Sequence, residues 1–264
     1  MNKQLLELWQ ARYFIRNSIR NEFISRVVRS RLGLVWIVLY PLAQVAIYAF
    51  VLSVVMSAKL PGLNGAYAYP LFLTAGILAW SLFTEVVSRC LNLFIENGNL
   101  LKKMVFPRLA LPVIVVGSAL LNNAVLFLSV MVIFALLGHA PGWSIVWLPL
   151  LTLLMLGLAL GLGLALGMLN VFIRDIGQLV TIALQFGFWL TPIVYSIDLL
   201  PERARHLLFL NPLTAVVQAY QAVLVYGRSP DLHALIYPAA CTVLVLALAA
   251  YLYWRGIDEV VDVL

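Results

Sequence analysis

Inside a long apolar run, residues 70 to 94, stand Thr74, Ser81, Glu85, Ser88 and Asn92. Their separations of seven, four, three and four keep to one face of a helix and make a polar stripe. At the centre of a bilayer a carboxylate, or the guanidinium of Arg89 one turn on, costs roughly 2.5 to 3.5 kcal/mol unless it pairs or meets water. The stripe must therefore look into protein or along an aqueous path. Glu85 and Arg89, acid first and four apart, can neutralise each other within the helix. The alternative is a membrane-embedded lipid or sugar transferase with Glu85 as general base. No His, Asp or metal-ligand set accompanies Glu85, and His139, His206 and His233 all fall in outer segments. Cys90 and Cys241 both lie within apolar runs, so neither a disulfide nor a metal site is implied.

The elements that position these groups follow from composition. Hydrophobic residues are 64% of the 264 and charged residues only 11%, far beyond what a soluble core uses. The expectation is an all-α polytopic membrane protein forming a single transmembrane domain over 1–264. Six runs reach the roughly 20 residues a helix needs to cross: 33–58, 70–94, 109–137, 145–170, 176–196 and 232–254. With both ends on one side, that side holds 13 of the 17 lysines and arginines, leaving Lys59, Arg203, Arg205 and Arg228 opposite. By the positive-inside rule both termini are cytoplasmic. The net charge of +6 is then mostly topology and contact with anionic headgroups, with no nucleic-acid partner implied. No cleavable signal is expected, because the first apolar run follows some thirty polar and charged residues.

Residues 1–32 mix aromatics and isoleucines with arginines, as an interfacial segment does, and beyond Arg12 a bend or two short helices are expected. That segment is either a surface anchor or a platform for a partner or an anionic headgroup. Spans one to five occupy 33–196. The first carries Trp36, Tyr40, Gln44 and Tyr48 at a spacing of four, with Gln44 and Tyr48 too deep for an interfacial belt. After the second come Asn99, Leu100, Leu101, Lys102, Lys103, Met104 and Phe106, a short amphipathic helix between breakers that suits the membrane surface or a docking peg. The third has a second polar seam of Ser118, Asn122, Asn123 and Ser129. The fourth has Gly157 with Gly161, and Gly163 with Gly167, spacings that let helices approach closely. The fifth carries Gln185, Trp189 and Tyr195 and should bend at Pro192. An external hairpin, 197–231, contains a helix end at Asn211–Pro212, a cap followed by proline at the first helical position. Its second helix, with Gln218 and Gln221, stops at Gly227 and is too short to cross. The sixth span and a cytoplasmic tail, 255–264, complete the chain. No G-x-x-x-x-G-K-[ST] loop occurs anywhere, so any ATP hydrolysis, with its Mg, must belong to a partner.

Several stretches in order resemble the membrane subunit of a type-2 ABC exporter, of the family that exports O-antigen and related cell-surface polysaccharides. They are Ser30-Arg31-Leu32-Gly33 with Trp36 and Pro41-Leu42; Gly76, Trp80, Phe83 and Glu85; Asn99-Leu100 through Lys103 with Phe106-Pro107; Arg174-Asp175-Ile176; Pro192-Ile193-Val194-Tyr195; and Asn211-Pro212. Thr191-Pro192 stands where Ser-Pro is common in that family.

The resemblance implies a homodimer working with two copies of an ATP-binding cassette subunit in a bacterial inner membrane. It implies a coupling helix at 98–106, external gate helices within 197–227, and a glycan on undecaprenyl pyrophosphate as cargo. The translocation-path residues expected are Trp36, Tyr40, Gln44, Tyr48, Ser81, Glu85, Ser88, Arg89, Asn92, Gln185, Trp189 and Tyr195. No cofactor, metal or catalytic residue is expected in the chain itself. A teichoic-acid or drug exporter would share this architecture. An ion-coupled transporter would show an internal repeat, which is not seen.

Overall fold

The computed structural model describes residues 9–29, 35–50, 67–103 and 107–263, and among them there are helices and turns but no strands. After a turn at Ala11, α1 runs unbroken over Arg12–Arg29 where a bend or two helices were expected. Helix α2 spans Val35–Ala49 with Pro41 inside it; the rest of the first expected span lies outside the described residues. Then come α3, Ala68–Glu96, and the six-residue α4, Gly98–Lys103; Met104 and Phe106 of the expected coupling segment lie outside the described residues. Helix α5 is Ala110–Leu136, and a 3-10 turn at Trp143–Trp147 leads into α6, Leu148–Phe172. Next are α7, Asp175–Leu190; α8, Glu202–Phe209; α9, Pro212–Leu224; and α10, Leu232–Val263.

Among the described residues, four segments are individually long and apolar enough to cross a membrane: Ala68–Glu96, Ala110–Leu136, Trp143–Phe172 and Leu232–Ile257. Helices α8 and α9 bend 101° against each other, the shape expected of the external hairpin. The fifth expected span requires correction. It does not continue through a kink at Pro192 but stops at Leu190, with Thr191 extended at φ −107 and ψ 135. The cause is local: a residue before proline is driven out of the helical region, and Pro192 has no N–H with which to continue. The Thr191 hydroxyl donates to Gly187 O and occupies one of the freed carbonyls.

Helix α3 is buried on almost every side, and α6 packs against it and against α10. The two glycine pairs of α6 divide this work. A Cβ on Gly161 would lie 2.9 Å from backbone atoms of Val245 and Leu246 on α10, and one on Gly157 would lie 2.7 Å from Thr242. A Cβ on Gly167 would lie 2.3 Å from the carbonyl oxygen of Cys90 on α3, with Gly163 close to Val87 and Cys90. Backbones meet on both sides of one helix because both sides lack side chains. Asn170 fastens the end of this contact, donating to Leu91 O at 3.1 Å and accepting from the Gly177 N–H at 2.8 Å, so it ties α6 to α3 and to the start of α7.

Gly167→Ala must push α6 off α3 and should destabilise the chain by about 1 to 3 kcal/mol. Gly142→Ala, whose Cβ has no neighbour nearer than 3.7 Å, should change little. Thermal unfolding of the two variants in one detergent checks the contrast.

Candidate functional site

The polar stripe of α3 divides into two rows. Thr74, Ser81 and Thr84 turn their hydroxyls back to carbonyls of their own helix, at Pro70, Leu78 and Trp80. Asn92, exposed, reaches its own helix at Ser88 O, 3.4 Å away. Such local bonds relieve a hydroxyl or amide of the need for an outside partner. The charged pair has no such escape.

Glu85 and Arg89 point toward α1 and α5. The nearer partner of Arg89 is not Glu85, at 3.7 Å, but Glu22 on α1, whose two oxygens lie 2.7 and 2.8 Å from Nη2. The Ser118 hydroxyl on α5 donates to Glu22 at 2.8 Å, and the Asn122 amide donates to Glu85. One guanidinium thus holds two carboxylates, and two side chains of the third-span seam complete their bonding. All three charged side chains are about a quarter exposed or less. Asn123, next in that seam, donates to Leu78 O, joining α5 to α3 a second time.

The neighbouring row, Trp80, Thr84 and Ser88, faces a cavity of about 460 Å³ between α2, α3 and α7. From α2 come Gln44 and Tyr48, and from α7 come Thr181, Gln185, Phe188 and Trp189. The rings form a continuous set: Tyr48 stacks on Phe188 at 5.6 Å, Trp189 meets both edge-on, and Trp80 meets Phe188 at 5.9 Å. Amides and hydroxyls alternate with these rings along the wall. Of the path residues expected from sequence, Gln44, Tyr48, Ser88, Gln185 and Trp189 come together here. Trp36 and Tyr40 stand exposed further along α2, and Ser81, Glu85, Arg89 and Asn92 are not among the lining. Tyr195, also not among the lining, donates its O–H to Trp189 O at 2.9 Å. Trp80, Thr84, Thr181 and Phe188 were not anticipated. Thr84 and Phe188 keep the spacing of residues already singled out, four before Ser88 and three after Gln185.

At the far end from α1, the turn that ends α7 is strapped from three sides. Tyr69 donates its O–H to Val194 O, the buried Gln221 donates to Pro192 O at 3.1 Å, and Asn211 donates to the Thr191 hydroxyl at 3.0 Å. Asn211 also caps α9, accepting from the Leu213 N–H, with Pro212 opening the helix as expected. Gln218 is half-buried on α9. Gly76 makes room for the strap, since a Cβ there would lie 3.0 Å from Ile193 and 3.2 Å from the Gln221 amide.

Between α3 and α5, the short helix α4 shows two faces. Leu101 is buried against the chain's own core, Leu100 is half-buried, and Asn99 and Lys102 are exposed. Lys103 closes α4. Among the described residues, no group of three His, Cys, Asp or Glu side chains gathers as metal ligands do.

Arg89→Gln strands Glu22 and Glu85 together and should lower stability by about 1.5 to 3 kcal/mol, more than Glu85→Gln, whose amide oxygen still accepts from Asn122. Melting temperatures of the two variants decide this; equal losses would show that the guanidinium is not the hub.

The family model for ABC-2 type transporters matches residues 14–225. The O-antigen export system permease protein RfbA of Myxococcus xanthus is 31% identical over 261 residues, covering 98% of each chain. A protein of the same name from Klebsiella pneumoniae is 29% identical over 203 residues, 76% of each. The match spans α1, the cavity wall, α4 and the strapped turn together, and this chain belongs to the ABC-2 type transporter family.

Proposed function

We propose that this chain is the transmembrane subunit of an ATP-driven exporter, moving a polysaccharide of the O-antigen type, linked to undecaprenyl pyrophosphate, from cytoplasm to periplasm. The observation that carries the reading is the wall shared by Tyr48, Trp80, Phe188 and Trp189 with Gln44, Thr84, Ser88, Thr181 and Gln185. A sugar polymer must slide, so its path should offer many weak contacts and no single tight one. Flat rings with polar groups between them suit that task, since rings stack on sugar faces while amides and hydroxyls exchange bonds with sugar hydroxyls. The permeases similar to this chain carry O-antigen export in their names, which supports the choice of cargo.

Two copies form the conduit. In the single chain α7 is covered on only one side: Leu179, Ile182, Phe186 and Leu190 are all exposed beside the cavity. A second α7 closing on it would turn an open groove into an enclosed path, in an isologous pair. The ends holding α1, α4 and the Arg174–Asp175 turn face the cytoplasm of a bacterial inner membrane, where most positive charge belongs. Two ATP-binding cassette subunits dock there on the exposed face of α4, through Asn99 and Lys102, while Leu101 anchors the peg to its own chain. The α8–α9 hairpin gates the periplasmic mouth. No catalytic step falls to this chain: Glu85 is occupied by Asn122 and Arg89, as a structural carboxylate is, and hydrolysis belongs to the partner.

Reconstituted with its ATPase, the protein should deliver lipid-linked glycan to the vesicle exterior only while ATP is hydrolysed; transport by the lone chain on an ion gradient overturns the reading. Tyr48→Ala and Trp189→Ala should each lower export about two- to tenfold with ATPase assembly intact. Lys102→Glu should instead weaken co-purification of the ATPase, whereas Leu101→Asp should destabilise this chain itself.

A further inference from the structure

Helix α1 carries Arg12, Arg16 and Arg20 at successive turns, above a groove of about 800 Å³ between α1 and α5. The floor of that groove is apolar, built from Ile15, Ile19 and Phe23 of α1 with Val113 and Leu121 of α5. Arg12 is engaged locally, donating to Trp9 O at 2.9 Å and lying over the Trp9 and Tyr13 rings. Arg16 and Arg20 are exposed, and among the described residues neither has an ion pair. The one acid on the helix, Glu22, is committed to Arg89 and Ser118. Two guanidiniums four residues apart therefore sit uncompensated at the rim of an apolar slot.

We infer that this groove is a binding site for one anionic glycerophospholipid, its phosphate held between Arg16 and Arg20 and an acyl chain lying along Val113 and Leu121. The charge pattern selects the occupant. Guanidinium forks match phosphate oxygens bidentately. A phospholipid also brings a phosphate and a hydrocarbon chain in one molecule, at the depth where an interfacial helix lies. A peptide partner would have to supply acids at the rim and an apolar strip beneath them. The site has a structural consequence. Two residues after Arg20, the same helix presents Glu22 to Arg89, so an occupied groove holds α1 in the seat from which it neutralises the span. This holds whatever the cargo is.

The test uses the full chain with its ATPase subunit, stripped of lipid in detergent and titrated with phosphatidylglycerol or phosphatidylcholine, with bound lipid read by native mass spectrometry. Phosphatidylglycerol should bind at least about tenfold more tightly than phosphatidylcholine, and Arg16→Gln with Arg20→Gln should erase the preference. Leu121→Trp, which fills the slot and leaves the arginines in place, should weaken both lipids, so the site stays testable even where the double substitution prevents assembly. Equal affinity for the two headgroups overturns the proposal, as does phosphatidylglycerol binding unchanged in either variant. So does a polyprenyl diphosphate that proves to be the species displaced by loss of the arginines.

Discussion

One guanidinium shared by two carboxylates is the constraint on which the arrangement of α1, α3 and α5 depends. Arg89 lies about 10 Å from the C-terminal end of α3 at 1.5 Å per residue, near the edge of a hydrocarbon layer of about 30 Å centred on that 29-residue helix, and Glu85 lies a turn deeper. Unpaired charges there cost more the deeper they sit, up to roughly 2.5 to 3.5 kcal/mol at the bilayer centre. Pairing the two within α3 would neutralise them but leave most of their hydrogen-bonding capacity unused. The chain uses more of it by bringing Glu22 in from the interfacial helix and Ser118 and Asn122 from α5, which still leaves Arg89 Nη1 buried without a hydrogen bond among the described residues. The amphipathic helix is thus held by charge as well as by its apolar face. Gly117 shows how closely: a Cβ there would meet the Ile19 side chain at 2.4 Å.

The same rule, that backbone and side-chain polar groups must be satisfied without water, shapes the opposite end. Stopping α7 at Leu190 frees carbonyls and leaves a buried turn to be satisfied. Tyr69 from α3, and Gln221 and the cap residue Asn211 from α9, reach in to bind it. The short helix α9 ends the same way, with Ser144 donating to Val223 O and His139 bonding Leu224 O. A re-entrant helix is affordable only where protein surrounds its ends, and here the residues that surround it come from the loop before α6.

Much of this was legible in the sequence because it is local. Apolar run lengths mark the long helices, the Asn211–Pro212 cap starts α9 where spacing predicts, and Gly227 with φ +62 ends that segment. Glycine spacing on α6 announced close packing, although not that each pair serves a different neighbour. What escaped was long-range. Arg89 and Glu22 are 67 residues apart, and Tyr69 and Val194 are 125 apart, separations over which no periodicity carries information. Glu22 did leave one mark, as the sole acid among the arginines from Arg12 to Arg31. The cavity wall was half legible: its amides and Tyr48 stand out in an apolar run, whereas Trp80 and Phe188 are indistinguishable from core until their neighbours are known. Treating the α3 stripe as one face also merged two rows. Residues 81, 85 and 89 lie one position, or about 100°, around the helix from 80, 84 and 88.

That offset couples the ion network to the cavity wall. Helix α3 presents the ring-and-amide wall on one row and the ion network on the next, with α6 pressed against its remaining side through glycine. A rotation of α3 large enough to reshape the wall would also swing Arg89 away from Glu22 and Glu85 away from Asn122, exposing charge. The arrangement therefore favours motion of α1, α3 and α5 together, with α6 carried along by its backbone contact. Change in the cavity then falls on α7 and α2, which share rings with each other, Tyr48 with Phe188 and Trp189, while Trp80 meets Phe188 edge-on across the α3–α7 side. Ring contacts slide at small cost compared with a broken ion pair in hydrocarbon, so the wall deforms where the bonding is weakest and the network stays intact.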